Sequence, residues 1–414
     1  MASILYLSYD GLTDQLGPSQ ILAYLLGLAK RDHRVTLITC EKPGNPGPAE
    51  ALSAQCREAG IDWHPLPYTK RPPILSTLHD LRAMTALAER LVGGGGFDVV
   101  HCRSYLPALV GARLKRRHGL RFLFDMRGFW ADERVEGGLW PQSNPLFRMI
   151  FRWFKLQEAR LLREADHVVV LTEAGRKILH DTLHVPADKA ITVIPCCADF
   201  TAFPPVTAEA RTAARARLGI PSGVPVIGYL GALGTWYMLP EMLDFVAVAR
   251  ARDPGTQLLM VTREPPAPII AAAAQRGIPA EAIIIRSAQR DEVPRLMAAA
   301  NTAIFFIRPT FSKLGSSPVK LGELLSLELP VIANSGVGDV DRIIREAGAG
   351  VLVDHFETAD YGAALDGIAA LRPDMERWSR IRGEWFDLAT GIARYDEIYR
   401  SLGSDRNSSI SRGA

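Results

Sequence analysis

Short apolar runs alternate with helix-patterned segments twice along this chain, and that alternation limits the fold more than any other feature. Ile4–Leu7 is the first run, followed by a polar loop, Asp10–Gly17. Pro18–Ala29 then reads as a helix, with Ile21, Leu22, Leu25, Leu26 and Leu28 on a wide apolar face, and Val35–Ile38 closes a βαβ unit. The pattern recurs at Asp98–His101 with helix Leu106–His118, at Phe122–Phe124, at Val168–Leu171 with helix Glu173–His180, and at Ile191–Ile194. Ala198–Val224, with Pro204, Pro205 and Pro221, reads as an interdomain linker. The alternation restarts at Val226–Leu230 and continues through Gln257–Thr262, Ala282–Ile285, Thr302–Ile307 and Val331–Ala333. Strands apolar at nearly every position are buried on both faces, which predicts parallel sheets covered by helices.

The expected fold is therefore α/β, with two tandem Rossmann-like doubly wound domains at residues 1–200 and 201–380. Residues 381–402 read as a last helix, and 403–414, rich in Ser, Gly, Arg and Asn, as a disordered tail. Such sheets bind ligands at the carboxyl ends of their strands, and a substrate between two of them is the default expectation. The four glycines Gly93–Gly96 precede a strand, so they read as a connector and not as a phosphate loop.

Composition excludes several classes. Residues 1–200 hold 25 Lys+Arg and 21 Asp+Glu, net +4, and the remainder holds 48−25=23 and 45−21=24, net −1. That excess is too small for a nucleic-acid partner but suits an anionic membrane surface or a phosphate-bearing lipid. Five cysteines without a CxxC pair read as free thiols of a reducing compartment. Leu218–Pro240 lacks charge, but its glycines and prolines suit strand and turn, not a spanning helix. No signal peptide is visible, so a cytoplasmic protein is expected, peripheral at the inner face of the cytoplasmic membrane. The membrane contact would be residues 146–155, where Arg148, Arg152 and Lys155 form a stripe beside Leu146, Met149, Trp153 and Phe154; a core helix with a basic edge fits equally.

The segment richest in chemistry is Gly315-Ser316-Ser317-Pro318-Val319-Lys320-Leu321-Gly322-Glu323. Ser317 reads as a helix N-cap and Pro318 as the first helical residue, and the free N–H groups of such a start can hold a diphosphate. Lys320 adds positive charge in the first turn. Glu323, one turn on, can accept two hydrogen bonds from a ribose diol. An ordinary capped helix with a solvated Lys and Glu is the competing reading.

This segment resembles the signature of GT-B family 4 glycosyltransferases, which pairs two glutamates before a Pro-Val. Glu323 matches the second, which binds the donor ribose in that family. Gly315 stands where the first, which contacts the transferred sugar, would be; Ser316 or Ser317 is the candidate substitute. Gly228–Tyr237 resembles the opening strand and glycine turn of the family's donor domain, with Gly231 at the turn. The Arg and Lys that many members carry next are missing from Thr235–Leu239, and Arg263 is the candidate replacement, with a solvated loop residue as the alternative. Gly17 matches the turn near the donor phosphate. His101 and Arg103 lie where the family has a His-containing loop, and Phe124–Glu133 resembles the acidic, Trp-bearing loop of a subgroup that builds bacterial cell-surface polysaccharides. In that loop Asp125 stands at a catalytic-site position. The Trp378–Leu402 helix resembles the family's crossing helix, which packs back on the first domain.

The resemblance implies a retaining glycosyltransferase. Asp125, Arg127 and Lys320 would be catalytic. Gly17, Gly231, Arg263, Ser316, Ser317, Lys320, Leu321 and Glu323 would bind the donor, and His101, Arg103 and Trp130 the acceptor. The expected partners are a nucleotide-diphosphate sugar and a glycan or lipid-linked glycan acceptor. No cofactor and no metal are expected, the Asp339-Val340-Asp341 string reading as a helix start. A nucleotide-sugar epimerase and a non-catalytic assembly subunit are the alternatives.

Overall fold

The computed structural model describes residues 1–44, 46–72 and 74–410. It divides into two compact units, Met1–Pro195 with Leu388–Ala414, and Cys196–Asp387.

The first unit holds β1 (Ser3–Ser8), β2 (Arg34–Glu41), β3 (Asp62–Pro67), β4 (Val99–Arg103), β5 (Arg121–Asp125), β6 (His167–Val170) and β7 (Ile191–Val193). They form one parallel sheet in the order β3-β2-β1-β4-β5-β6-β7. Every residue of β1 and β4 is buried. The order reverses at β1/β4, so the loops after Ser8 and Arg103 flank a topological switch point, where doubly wound sheets place ligands.

The second unit holds β8 (Val226–Leu230), β9 (Gln257–Val261), β10 (Ile283–Arg286), β11 (Thr302–Phe305), β12 (Val331–Asn334) and β13 (Gly350–Val353), parallel in the order β10-β9-β8-β11-β12-β13. Its switch point lies between β8 and β11, beside Gly231 and the segment that follows Phe305. The two doubly wound parallel sheets expected from the alternation are present.

Several boundaries differ from expectation. The change of unit falls at Pro195/Cys196 and not at residue 200. The supposed linker is built into the second unit. Phe203 is buried, the Ser326 hydroxyl donates to its carbonyl, and Val206 N–H donates to Leu327 O at 3.1 Å. The last helix is two, Met375–Phe386 in the second unit and Leu388–Ile410 in the first, with Asp387 between them in extended conformation. Residues 403–410, read as tail, continue that helix, and 411–414 lie outside the described residues. In the first unit Asp396 pins the helix through Arg31 (3.0 Å) and the buried His33 (2.8 Å), and Arg394 donates to Val193 O at 3.0 Å. Edge strands β3 and β13 carry no alternation strong enough to read: β3 has two prolines and is largely half-buried or exposed. All five cysteines are free and buried. Among the described residues no helix is long and apolar enough to cross a membrane.

Candidate functional site

In the first unit, β4 and β5 deliver His101, Arg103 and Asp125 side by side, since His101 pairs in register with Leu123 and Arg103 with Asp125. All three side chains are buried. His101 Nδ1 is 2.7 Å from the Tyr399 hydroxyl, and its Nε2 is 3.5 Å from Asp125 Oδ2, an ion-pair distance without hydrogen-bond geometry. The Tyr395 hydroxyl donates to Asp125 Oδ2 at 3.1 Å, and Arg127 Nη1 lies 4.0 Å from the same oxygen. Burial pushes the Asp125 carboxyl up, but Arg127, His101 and Arg103 together hold it below the usual range. Burial holds the His101 imidazole below its ordinary value against the opposing pull of Asp125.

Polar atoms are left over here. Among the described residues, Asp125 Oδ1, His101 Nε2, and Arg103 Nε and Nη1 are buried without a hydrogen bond, Arg103 Nε lying 3.8 Å from Asp10 Oδ2. Orphaned buried donors and acceptors cost stability, so a cluster of them is a mark of ligand handling. Backbone strain collects at the same strand ends: Ser104 (φ 67°) and Arg127 (φ 57°) are left-handed without being glycine. Gly17 is buried at the start of the helical turn Pro18–Leu22, and a Cβ there would sit 2.3 Å from Leu12 O. The loop it closes hangs on Glu41, which accepts from Leu12 N (2.7 Å) and Thr13 N (3.0 Å). Trp130 is half-buried and enclosed by Tyr105, Trp140, Phe154 and the Arg134 guanidinium, so it anchors the loop after β5.

In the second unit, the helix Val319–Ser326 carries Lys320 and Glu323, both buried. Its cap differs from expectation. Pro318 is the N-cap residue, no side chain caps it, and the Ser317 hydroxyl accepts from Cys196 N–H at 3.2 Å instead. The competing reading of a solvated Lys and Glu fails on their burial. Lys320 Nζ donates to the Tyr229 hydroxyl at 3.0 Å and lies 4.1 Å and 3.5 Å from the ring centres of Tyr229 and Tyr237. Gly231, at φ 106°, puts no side chain against the Nζ, from which a Cβ there would stand 3.4 Å. Burial holds the Lys320 amine well below its ordinary value, with Glu323 opposing. Burial raises the Glu323 carboxyl against Arg290, whose Nη1 is 2.8 Å from Oε1 and off the hydrogen-bond direction. Leu321 is buried, and Ser316 is half-buried, its hydroxyl making a long 3.5 Å bond to Ser312 O.

Arg263 is exposed and bonded to Gln289 at 3.1 Å, so the structure does not join it to Lys320. Trp236 and Tyr237 occupy the place of the expected Arg and Lys, and their rings carry cations: Lys313 Nζ 3.8 Å and Arg308 5.0 Å from the Trp236 ring, Lys320 on Tyr237. Lys313 is buried, which its sequence context did not signal; the Trp236 ring it lies over is distant in sequence and left no local pattern. Tyr395 and Tyr399, four residues apart on one helical face, were the readable clue to the His101–Asp125 cluster. The Asp339–Val340–Asp341 carboxylates are paired with Arg342 (3.3 Å) and Arg345 (3.7 Å).

Residues 19–197 match the family described as "Glycosyl transferase 4-like domain", and residues 210–383 match "Glycosyl transferases group 1". The chain belongs to glycosyltransferase family 4, of the GT-B fold. A D-inositol 3-phosphate glycosyltransferase of Nocardia farcinica is 26% identical over 295 residues, covering 69% of this chain. The match spans 61% of that relative, less than two thirds of its length. Among solved structures, sucrose-phosphate synthase of Thermosynechococcus elongatus superposes with TM-score 0.72 at 17% identity, covering 98% of this chain and 100% of that one. HepE of Anabaena, solved with UDP and glucose, superposes with TM-score 0.69 at 15% identity over 97% of this chain and 100% of its own. At these identities the two structures speak for the fold of this family 4 member alone.

Proposed function

We propose that this family 4 protein is a retaining glycosyltransferase that moves a sugar from a nucleoside-diphosphate sugar to a glycan or lipid-linked glycan in cell-surface polysaccharide synthesis. The observation that carries the reading is Lys320 and Glu323, buried one turn apart at a helix start. A buried Lys320 stacked on two tyrosines, beside a glycine and in the first turn of a helix, suits an anionic phosphate. The HepE complex holds UDP and glucose, which supports a nucleoside diphosphate as the donor class.

In this reading the diphosphate rests on the N–H groups at the start of Val319–Ser326 and on Lys320, with Lys313 adding charge nearby. Glu323 takes the ribose diol, sharing its carboxylate with Arg290. Ser316 and Ser317 stand beside the transferred sugar where Gly315 offers no carboxylate. The acceptor oxygen attacks the anomeric carbon from the face that the diphosphate leaves. The carbon–phosphate-oxygen bond breaks, the new glycosidic bond forms, and the acceptor proton passes to the departing phosphate oxygen. The protein contributes positioning and neutralisation of the growing phosphate charge. The orphaned atoms of Asp125, His101 and Arg103 hydrogen-bond sugar hydroxyls, and Arg127 orients Asp125. No metal is assigned to the step, and the working place is the cytoplasmic side of the membrane.

The test is nucleoside-diphosphate release from a panel of nucleotide sugars, with and without lipid-linked glycan or D-inositol 3-phosphate, followed by NMR of the product's anomeric centre. Acceptor-dependent release with retained configuration is expected, unchanged by EDTA. An isomerised sugar formed without acceptor would make the protein an epimerase. Binding without release would make it an assembly subunit.

A further inference from the structure

The helix Pro145–Glu164 of the first unit is held by one face and bare on the other. Phe154, Leu161, Leu162 and Glu158 are buried. Lys155 bridges Asp132 (2.8 Å) and Glu158 (2.5 Å), and Glu158 also accepts from the Tyr105 hydroxyl. These contacts fix the helix to the unit.

The opposite face is unusual for a surface. Leu146, Met149, Trp153 and Leu156 are 47%, 62%, 45% and 69% exposed. At about 100° per residue they share an arc of roughly 80°. Arg152, Arg163 and Arg148 are exposed along its edge, and none has a carboxylate within ion-pair distance among the described residues. The only acids between 145 and 164 are the buried Glu158 and Glu164, which is paired with Arg116 and Arg160. Leu139, 59% exposed, adds to the patch through its neighbour Trp140, whose ring stacks on Phe154 at 5.5 Å. Four large apolar side chains beside unpaired arginines and no free carboxylate form a surface complementary to an anionic lipid interface.

We propose that this face docks the protein on an anionic bilayer, with Leu146, Met149, Trp153 and Leu156 entering the interface and Arg148, Arg152 and Arg163 on lipid phosphates. The inference deepens the membrane-side placement above and does not depend on sugar transfer. It also gives that placement an orientation. The helix begins at the end of the sheet where β5 finishes, and Phe154 packs on Trp153 (4.8 Å) and on Trp130 (4.9 Å) of the loop after β5. One aromatic layer separates the docking face from the loop that follows Asp125. A lipid-carried acceptor would be presented to that loop.

The experiment is co-sedimentation of the full chain with phosphatidylcholine vesicles and with vesicles containing phosphatidylglycerol. Binding is expected to the anionic vesicles and to fall as salt rises. Arg148→Gln with Arg152→Gln should weaken it by roughly fivefold per arginine, on the order of 25-fold together. Met149→Ser with Trp153→Ser should abolish it. Arg116→Gln with Arg117→Gln, on cations already paired elsewhere, should change it little. Circular dichroism of each variant separates lost docking from lost folding. Equal binding to both vesicle types, or folded Met149/Trp153 variants that bind like the native protein, would overturn the proposal. So would a concentration-dependent dimer that Trp153→Ser dissolves, since the face would then belong to a second copy.

Discussion

Replacing Lys320 with Met is expected to raise stability and lower donor affinity at once. Lys320 is 7% exposed and has Glu323 as its nearby carboxylate, already engaged by Arg290. The Tyr229 hydroxyl keeps a partner after the change, because it donates to Ala232 O at 2.8 Å. The loss is a cation–π contact worth about 0.5–2 kcal/mol. The gain is relief of a buried charge, and exchanging such groups for apolar ones often stabilises by about 1–4 kcal/mol. A net gain of about 1 kcal/mol would raise Tm by roughly 2–4 °C for a unit of this size. The sign with pH follows from the lowered amine. The unfolded chain holds the proton up to its ordinary value near 10.5 and the folded chain releases it earlier, so the cost is absent above that pH and grows as pH falls toward the folded value. A bound diphosphate would favour the charged amine and oppose that shift. Lost charge-assisted bonds of about 1.5–3 kcal/mol correspond to roughly 10- to 150-fold weaker donor binding. Differential scanning fluorimetry with and without nucleoside diphosphates reads both effects. A variant that melts lower and binds as before would rule out a donor-binding role for Lys320.

Glu323→Ala should weaken donor binding while leaving the partly exposed Arg290 solvated; calorimetric titration reads it. Asp125→Asn should lower turnover at least tenfold with the melting temperature changed by only a few degrees, because the amide keeps the Tyr395 bond but loses the charge that orders His101 and Arg127. His101 titrates below its ordinary value, so native stability should fall as pH drops below about 6.5, where only the unfolded chain takes up the proton; His101→Phe should flatten that part of the pH–Tm curve. Gly17→Ala should distort the loop held by Glu41, since the new Cβ meets backbone at 2.3 Å, and should cost about 1–3 kcal/mol in chemical denaturation.

The two sheets were legible because their strands are continuous apolar runs, from Ile4–Leu7 to Val331–Ala333, that need burial on both faces. The edges were not: β3 carries prolines and polar residues, and its side chains are half in water. Lys320 and Glu323 were legible from spacing, since one turn of helix places both at the same start. Their burial was not legible, because the residues that enclose Lys320, Tyr229 and Tyr237, come from a strand and loop some ninety positions earlier. Arg263 misled for the same reason. Its side chain goes to Gln289, while the buried lysine near Trp236 is Lys313, from another loop. The linker misread at 198–224 shows that prolines mark irregular backbone, not loose backbone, when Phe203 is available to bury.

The start of the Val319–Ser326 helix is proposed as the nucleoside-diphosphate-sugar site. Its most direct test is the melting temperature of the purified protein against UDP, GDP, ADP, CMP and their sugar conjugates, repeated with Glu323→Ala. An upward shift with one nucleoside diphosphate and its sugar is expected, and is lost in the variant. A nucleotide shift that survives Glu323→Ala unchanged, or none with any nucleotide, would contradict it.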